Sequence, residues 1–321
     1  MDFLANYFGS LNLMSFLSAL PGNIAQGIIW GLMGLGVFLT FKLLNFADLS
    51  VDGSFATGGA VTAVMLINGC PVWATIIVAI LAGLAAGLVT GLLHTLLGIP
   101  DILAGILTQI ALYSINLNIM GKSNLPISYR NYTLVVSASN INMAILVGLG
   151  ICAVVIAAMY WYFGTEQGST IRSTGSNPAM SKAQGININF TKVIALALSN
   201  GLVALSGSLF AQYQGFADIN MGRGAIVIGL AAVIIGEVLG EAIFRKHMNF
   251  IIRMLFVIVG GILYYIAMGI VLWLKMPTDD TKLFTAIIVA IFLAVPYLQK
   301  KRKTSFKKVA KMNAKNAQKE G

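Results

Sequence analysis

The chain has 321 residues, of which 58% are hydrophobic and only 10% charged, and its mean hydropathy is +0.85. Soluble domains carry about a quarter charged residues, so most of this chain is not surrounded by water, and a set of soluble domains is excluded. The net charge of +10 is concentrated at one end: nine of the 21 Lys and Arg lie between Lys300 and Lys319, where a basic segment suits anionic lipid better than nucleic acid.

At the start, residues 1–23 place Phe3, Leu4, Tyr7, Phe8, Leu11 and Met14 on one helical face. That pattern suits a helix lying in the membrane interface, although the usual basic face is missing. Apolar runs follow at about 24–41, 53–69, 72–97, 100–121, 143–163, 190–213, 224–243, 250–274 and 283–299, separated by polar residues or by breakers such as Pro21-Gly22 and Cys70-Pro71. The runs are unbroken and about 20 residues long, as bilayer-spanning helices require; barrel strands would alternate apolar and polar residues. The pattern predicts an all-α, polytopic membrane protein of about nine transmembrane helices. The membrane domain covers 24–299, and a basic cytoplasmic tail covers 300–321.

With nine spans the termini lie on opposite sides. Placing the tail inside puts Lys42, Arg172, Lys182, Lys192, Arg245, Lys246 and Arg253 there too, and leaves Lys122, Arg130, Arg223, Lys275 and Lys282 outside. The cytoplasmic excess satisfies the positive-inside rule, with the N-terminus outside. Small-residue stripes (Gly27 with Gly31; Gly83, Gly87 and Gly91; Gly236 with Gly240) predict close helix contacts.

Polar groups inside apolar runs need partners or a hydrated cavity. Asn45, Asp48, Ser50 and Asp52 interrupt two runs, with Lys42 the one nearby cation; the segment is either a plain turn or a broken helix lining a solute path. Gln109, Tyr113 and Asn116 share one face of the fourth run and either bond to neighbouring helices or face the same path. Asn200 and Ser206 raise that choice in the sixth run. Glu237, deep in the seventh, is either a proton-coupling acid or bonded to backbone or to Arg245. Cys70 and Cys152 lie far apart, with no metal-site or disulfide pattern. Phosphate-loop and hydrolase motifs are missing, so no enzymatic activity, cofactor or metal is expected, and the driving energy must come from an ion gradient or another subunit.

The long loop 165–191 is the most informative stretch. Asn177 can cap a short helix with Pro178 at its first position, and Gly185 can end it. A short helix held between two spans on the cytoplasmic side is a mechanical contact for a soluble partner.

Three stretches resemble the permease family that serves branched-chain amino acid and ribose ABC importers. "IRSTGSNPAMSKAQGININ" (171–189) is similar to its coupling-helix loop. "NFADLSVDGSFATGGA" (45–60) resembles both the Asn-Phe-Ala-His-Gly element of its amino acid permeases and the Asp-Leu-Ser-Val-Gly element of its sugar permeases, and "GLVALSGSLFAQYQG" (201–215) fits the helix after the loop. "GILTQIALYSINLNIMG" (105–121) is similar to the subgroup serving aromatic amino acids. The resemblance implies a plasma-membrane permease for a small polar solute such as an amino acid. It also implies a separate cytoplasmic ATP-binding subunit, an extracellular binding protein and a second permease copy, with coupling through Arg172, Asn177, Pro178, Ala179, Ala183 and Gly185. The rival expectation is an ion-coupled secondary transporter.

Overall fold

The computed structural model describes residues 13–129, 132–244 and 248–274, with single residues between 283 and 294. The expectations for residues 1–12, Arg130, Arg245, Lys246, most of the run 283–299 and the basic tail lie outside the described residues.

The chain begins with α1 (Leu13–Val37), which continues as a wider π-helical stretch over Phe38–Leu43. Pro21 lies inside α1, so Pro21-Gly22 does not separate an N-terminal segment from the first span as its composition suggests. One proline removes a single backbone bond, whereas ending a helix in lipid would leave several polar groups bare. After the π-helical stretch, which fits its i→i+5 bonding to Leu44 (N–H to the Leu39 carbonyl, 3.1 Å), residues 44–50 run without regular structure into α2 (Val51–Ile67). Next come α3 (Val72–Thr95) and α4 (Asp101–Met120), then a short strand β1 (Asn124–Pro126). The helices α5 (Ile141–Gly164), α6 (Glu166–Ser176), α7 (Pro178–Ala183) and α8 (Ile188–Gln214) follow. Strand β2 (Phe216–Asp218), α9 (Ala225–Phe244) and α10 (Phe250–Trp273) complete the order.

Among the described residues seven helices are long and apolar enough to cross a membrane: α1 with its π-helical extension, α3, α4, α5, α8, α9 and α10. Two of the nine expected runs are not among them. Helix α2 is apolar but only 17 residues long, and the run 283–299 is described only in part.

The inner helices are α1, α2 and α8. In their apolar stretches 83% of α1 and 72% of α8 are buried, against 28% to 39% for the other five spans. Trp30 of α1 stacks on Phe55 of α2 at 4.7 Å and meets Phe210 of α8 edge-on at 5.3 Å, so one aromatic cluster joins all three. The outer helices turn large apolar side chains outward, among them Leu81, Leu103, Leu146 and Trp161, as a lipid-facing surface requires.

The glycine stripes lie where helices touch. A Cβ at Gly83 or Gly87 of α3 would overlap backbone carbonyls of Asn200 and Leu196 on α8, and one at Gly27 would overlap the backbone of α10. Such contacts replace the hydrophobic drive that lipid cannot supply. Hydroxyls add bonds between helices: Ser199 donates to the Gly36 carbonyl (2.8 Å), Ser206 to the Ile29 carbonyl (2.6 Å), and Thr62 to Ser208 (2.6 Å). At one end β1 and β2 pair antiparallel, Leu125 opposite Ala217, over an apolar cluster with Ala60, Ala63 and Leu66 of α2.

Candidate functional site

Helices α2 and α4 and the segment before α9 line an open cavity of about 320 Å³. Four of the seven residues expected on a solute path line it together: Asp52 from the first turn of α2, and Gln109, Tyr113 and Asn116 from one face of α4. Gly53 and Ala56 form a low floor, and Ser114, Ile110, Ile219 and Arg223 complete the wall. The 3.6-residue period of α4 explains why its three polar residues arrive as a set.

Asp52 ties the start of α2 to the start of α9. Its two carboxylate oxygens accept the backbone N–H groups of Gly224 and Ile226, each at 2.9 Å, N–H groups that the first turn of a helix leaves without partners. The negative charge also lies at the favourable end of the α9 dipole. Gly222 passes so close that a Cβ there would overlap the Asp52 carbonyl oxygen. Asn116 is 1% exposed, and neither end of its amide has a partner among the described residues. Leaving a buried polar group unpaired costs about 1–3 kcal/mol, a cost that a bound solute or water in the cavity can remove.

The other three expected residues are placed elsewhere. Asn45 is exposed at the surface with φ of 55°, a left-handed conformation that asparagine tolerates better than most residues. Asp48 and Ser50 are buried together, at 2% and 0% exposure. The Asp48 carboxylate accepts the Ser50 N–H (2.9 Å), the Ser50 hydroxyl and the Asn200 amide (2.7 Å). The premise that this acid lacks partners is therefore corrected: Asp48 knots the 44–50 segment to α8. Asn200 also donates to the Leu196 carbonyl (3.0 Å), and Ser206 has its bond to α1, so the two residues that raised the question in α8 are bonded within or between helices.

Glu237 does not stand alone in its span. It pairs with Lys42 at 2.8 Å and with Arg253 at 3.1 Å, tying the ends of α1 and α10 to α9. At the same end His94 sits between the Ile99 carbonyl (2.8 Å) and the Lys192 ammonium (2.9 Å).

The 165–191 loop contains two helices where the capping signals indicate one. The short helix α7 starts as the spacing predicts: the Asn177 side chain accepts the Met180 N–H (3.1 Å), Pro178 opens the helix, and Gly185 follows with φ of +81°. Asn177, Pro178, Ala179, Met180, Ala183 and Gly185 are exposed, while Ser181 faces inward. Helix α6 holds α7 in place. Arg172 donates to the Phe163 carbonyl at 3.0 Å, at the C-terminal end of α5; Ile171 and Thr174 are buried; and Gly175 lies against the Leu43 carbonyl, where no Cβ fits.

Sequence reasoning missed α6, whose face is mostly polar, and it did not name Arg223 among the path residues, although Arg223 lines the cavity. The Gly222-Arg223-Gly224 run before an apolar helix was the available signal.

Comparison with known proteins accords with this arrangement. Residues 22–296 match the family model described as "Branched-chain amino acid transport system / permease component". The tyrosine transport system permease protein of Clostridioides difficile (strain R20291) is 42% identical over 301 residues, covering 93% of this chain and 99% of that one. The D-allose transport system permease protein AlsC of Escherichia coli (strain K12) is 27% identical, covering 80% and 77% of the two chains. Among solved structures, "PsaBC from Streptococcus pneumoniae in complex with Fab" aligns over 91% of this chain and 94% of that one, with a TM-score of 0.50 at 16% identity, a likeness of fold alone. With the family model matched across nearly all of its apolar helices, this chain belongs to the permease component family of branched-chain amino acid transport systems.

Proposed function

We propose that the chain is the plasma-membrane permease subunit of an ATP-driven importer and that its solute is an amino acid. The observation that carries the solute class is the 42% identity, over nearly the full length of both chains, to a permease named for tyrosine. Helix α7 then has a mechanical role: exposed, capped at both ends and held by α6, it docks into a separate ATP-binding subunit through Ala179, Met180 and Ala183. Arg172 anchors that contact to the end of α5.

In this reading the molecule spans the membrane nine times, with α2 as a short inner span and 283–299 as the last. The N-terminus lies outside, and the basic tail contacts lipid in the cytoplasm. The distribution of Lys and Arg supports this orientation. An external binding protein delivers the solute, and the apolar outer face of α4, with Leu103 and Leu107 exposed, meets a second permease copy. ATP binding and hydrolysis then switch the solute path between outward and inward openings by rigid-body motion of packed helices.

The reading is tested by co-purifying the permease with its ATP-binding subunit and binding protein in mild detergent and reconstituting the complex in vesicles. Uptake of L-amino acids that needs ATP and survives collapse of ion gradients supports the proposal; uptake that follows an ion gradient without ATP overturns it.

A further inference from the structure

We propose that the cavity between α2, α4 and the segment before α9 holds the solute in transit and is built for a zwitterion. The α-carboxylate of an amino acid meets Arg223, its ammonium meets Asp52, and the Asn116 amide bonds to it from the buried wall. The inference rests on the importer reading and adds the site and the chemical groups recognised.

The cavity carries one charge of each sign. Asp52 and Arg223 both line it, yet among the described residues they form no ion pair with each other. Asp52 uses one bond per carboxylate oxygen on the start of α9. An ionised carboxylate has about four acceptor sites, so it can still receive an ammonium. Arg223 is exposed at the mouth of the cavity, its guanidinium has no acceptor among the described residues, and it offers the planar fork that matches a carboxylate. The third feature is the Asn116 amide, almost fully buried in the cavity wall and with no hydrogen-bond partner for donor or acceptor among the described residues.

A neutral polyol would use the amide and the hydroxyls of Tyr113 and Ser114 but would leave separated opposite charges without purpose. A simple amine would leave Arg223 unused. A zwitterion uses all of them, and Ile110 and Ile219 give its side chain an apolar wall. About 320 Å³ falls at the small end of ligand cavities, the size class of a free amino acid.

The test uses the reconstituted complex in a background lacking Cys70 and Cys152, with Ser114→Cys as a reporter on the cavity wall. L-Tyrosine and L-leucine slow labelling of that thiol by a small polar reagent, while tyramine and isoamylamine, which lack the carboxylate, and D-allose do not. Arg223→Gln raises the KM for amino acid uptake by roughly 10- to 100-fold, as loss of a charged hydrogen bond does; Arg223→Lys recovers part of it. Asn116→Leu lowers uptake while keeping or raising the Tm, because it removes unpaired groups; a structural amide would lower the Tm instead. Wild-type vesicles that import amino acids with no protection at Ser114→Cys and no change on Arg223→Gln overturn this site and leave the importer reading standing. Vesicles that import D-allose and no amino acid overturn both.

Discussion

Gly175 of α6 lies directly against the carbonyl oxygen of Leu43, at the end of the first membrane helix, with no space for a side chain between them. From Leu43 the chain runs through residues 44–50 to Asp48, fixed to α8 by Asn200, and on to Asp52 in the cavity. In the proposed coupling, a displacement of α7 would pass through α6 to the segment that enters the cavity by way of this backbone contact. Gly175→Leu should force α6 away from Leu43. Inserting atoms into a packed contact costs about 1–3 kcal/mol, so the Tm should fall modestly while size-exclusion profiles stay monodisperse. ATP-dependent uptake should fall far more than pull-down of the ATP-binding subunit. Uptake unchanged in a folded Gly175→Leu protein removes this contact from the transmission route.

The docking surface itself is separable from that route. Ala179→Glu or Ala183→Glu places a bulky charge on the exposed side of α7, outside the apolar helices, so insertion and Tm should be unchanged. Binding of the ATP-binding subunit or coupling of hydrolysis to uptake should be lost, since an unpaired charge in a closed contact costs about 2–5 kcal/mol. Normal pull-down and normal uptake by both variants would show that α7 is not the coupling element.

Much of this architecture was legible because bilayers impose simple rules. The apolar runs marked α3, α4, α5, α8, α9 and α10 to within a few residues, and the end but not the start of α1, while Asn177-Pro178 and Gly185 marked α7. The glycine stripes located contacts without naming partners: Gly83 could not say that it faces Asn200. The cavity was half legible. Gln109, Tyr113 and Asn116 declared a common face by their period, but a period does not distinguish an amide bonded to a neighbouring helix from one left free, as Asn116 is. Asp48 and Asp52 are four residues apart and look alike in sequence. One is closed off by Ser50 and Asn200 and the other opens on a cavity, because what decides their roles comes from α8 and α9, about 150 to 175 residues away in the chain. Pro21 was misread for the same reason: a breaker has no fixed meaning until its tertiary neighbours are known.

The Asp48–Asn200 knot predicts a stability effect distinct from any effect on transport. Asn200→Leu removes the 2.7 Å donor from a buried carboxylate and should destabilise by about 1.5–3 kcal/mol, the range for hydrogen bonds to charged groups. Asp48→Asn also breaks the knot, so the double variant should cost less than the sum of the single ones. Thermal unfolding of the four proteins in one detergent measures the coupling. Additive losses would mean that the two side chains do not act together.

Orientation is checked by tags. One placed after Gly321 should be protected in intact cells, and one placed after Ser139, in the stretch between α4 and α5, should be accessible. Reversal of the two would put α7 outside the cell, where no ATP-binding subunit can reach it, and would overturn the coupling assignment together with the topology.

Glu237 separates an ATP-driven permease from a proton-coupled one. A coupling acid must release and rebind its proton in each cycle, whereas this carboxylate is held in ion pairs with both Lys42 and Arg253. Both cations are partly exposed, so the pairs contribute little, about 0–1 kcal/mol each. Glu237→Gln should therefore lower the Tm slightly and leave ATP-dependent uptake within about twofold of wild type, a change of less than 1 kcal/mol. A proton uncoupler should not change uptake by either protein when ATP is supplied. In a proton-coupled carrier the same substitution abolishes accumulation while sparing exchange of solute across the membrane. Loss of accumulation with exchange intact would therefore assign Glu237 to proton coupling and replace the ATP-driven reading with the secondary-transporter one.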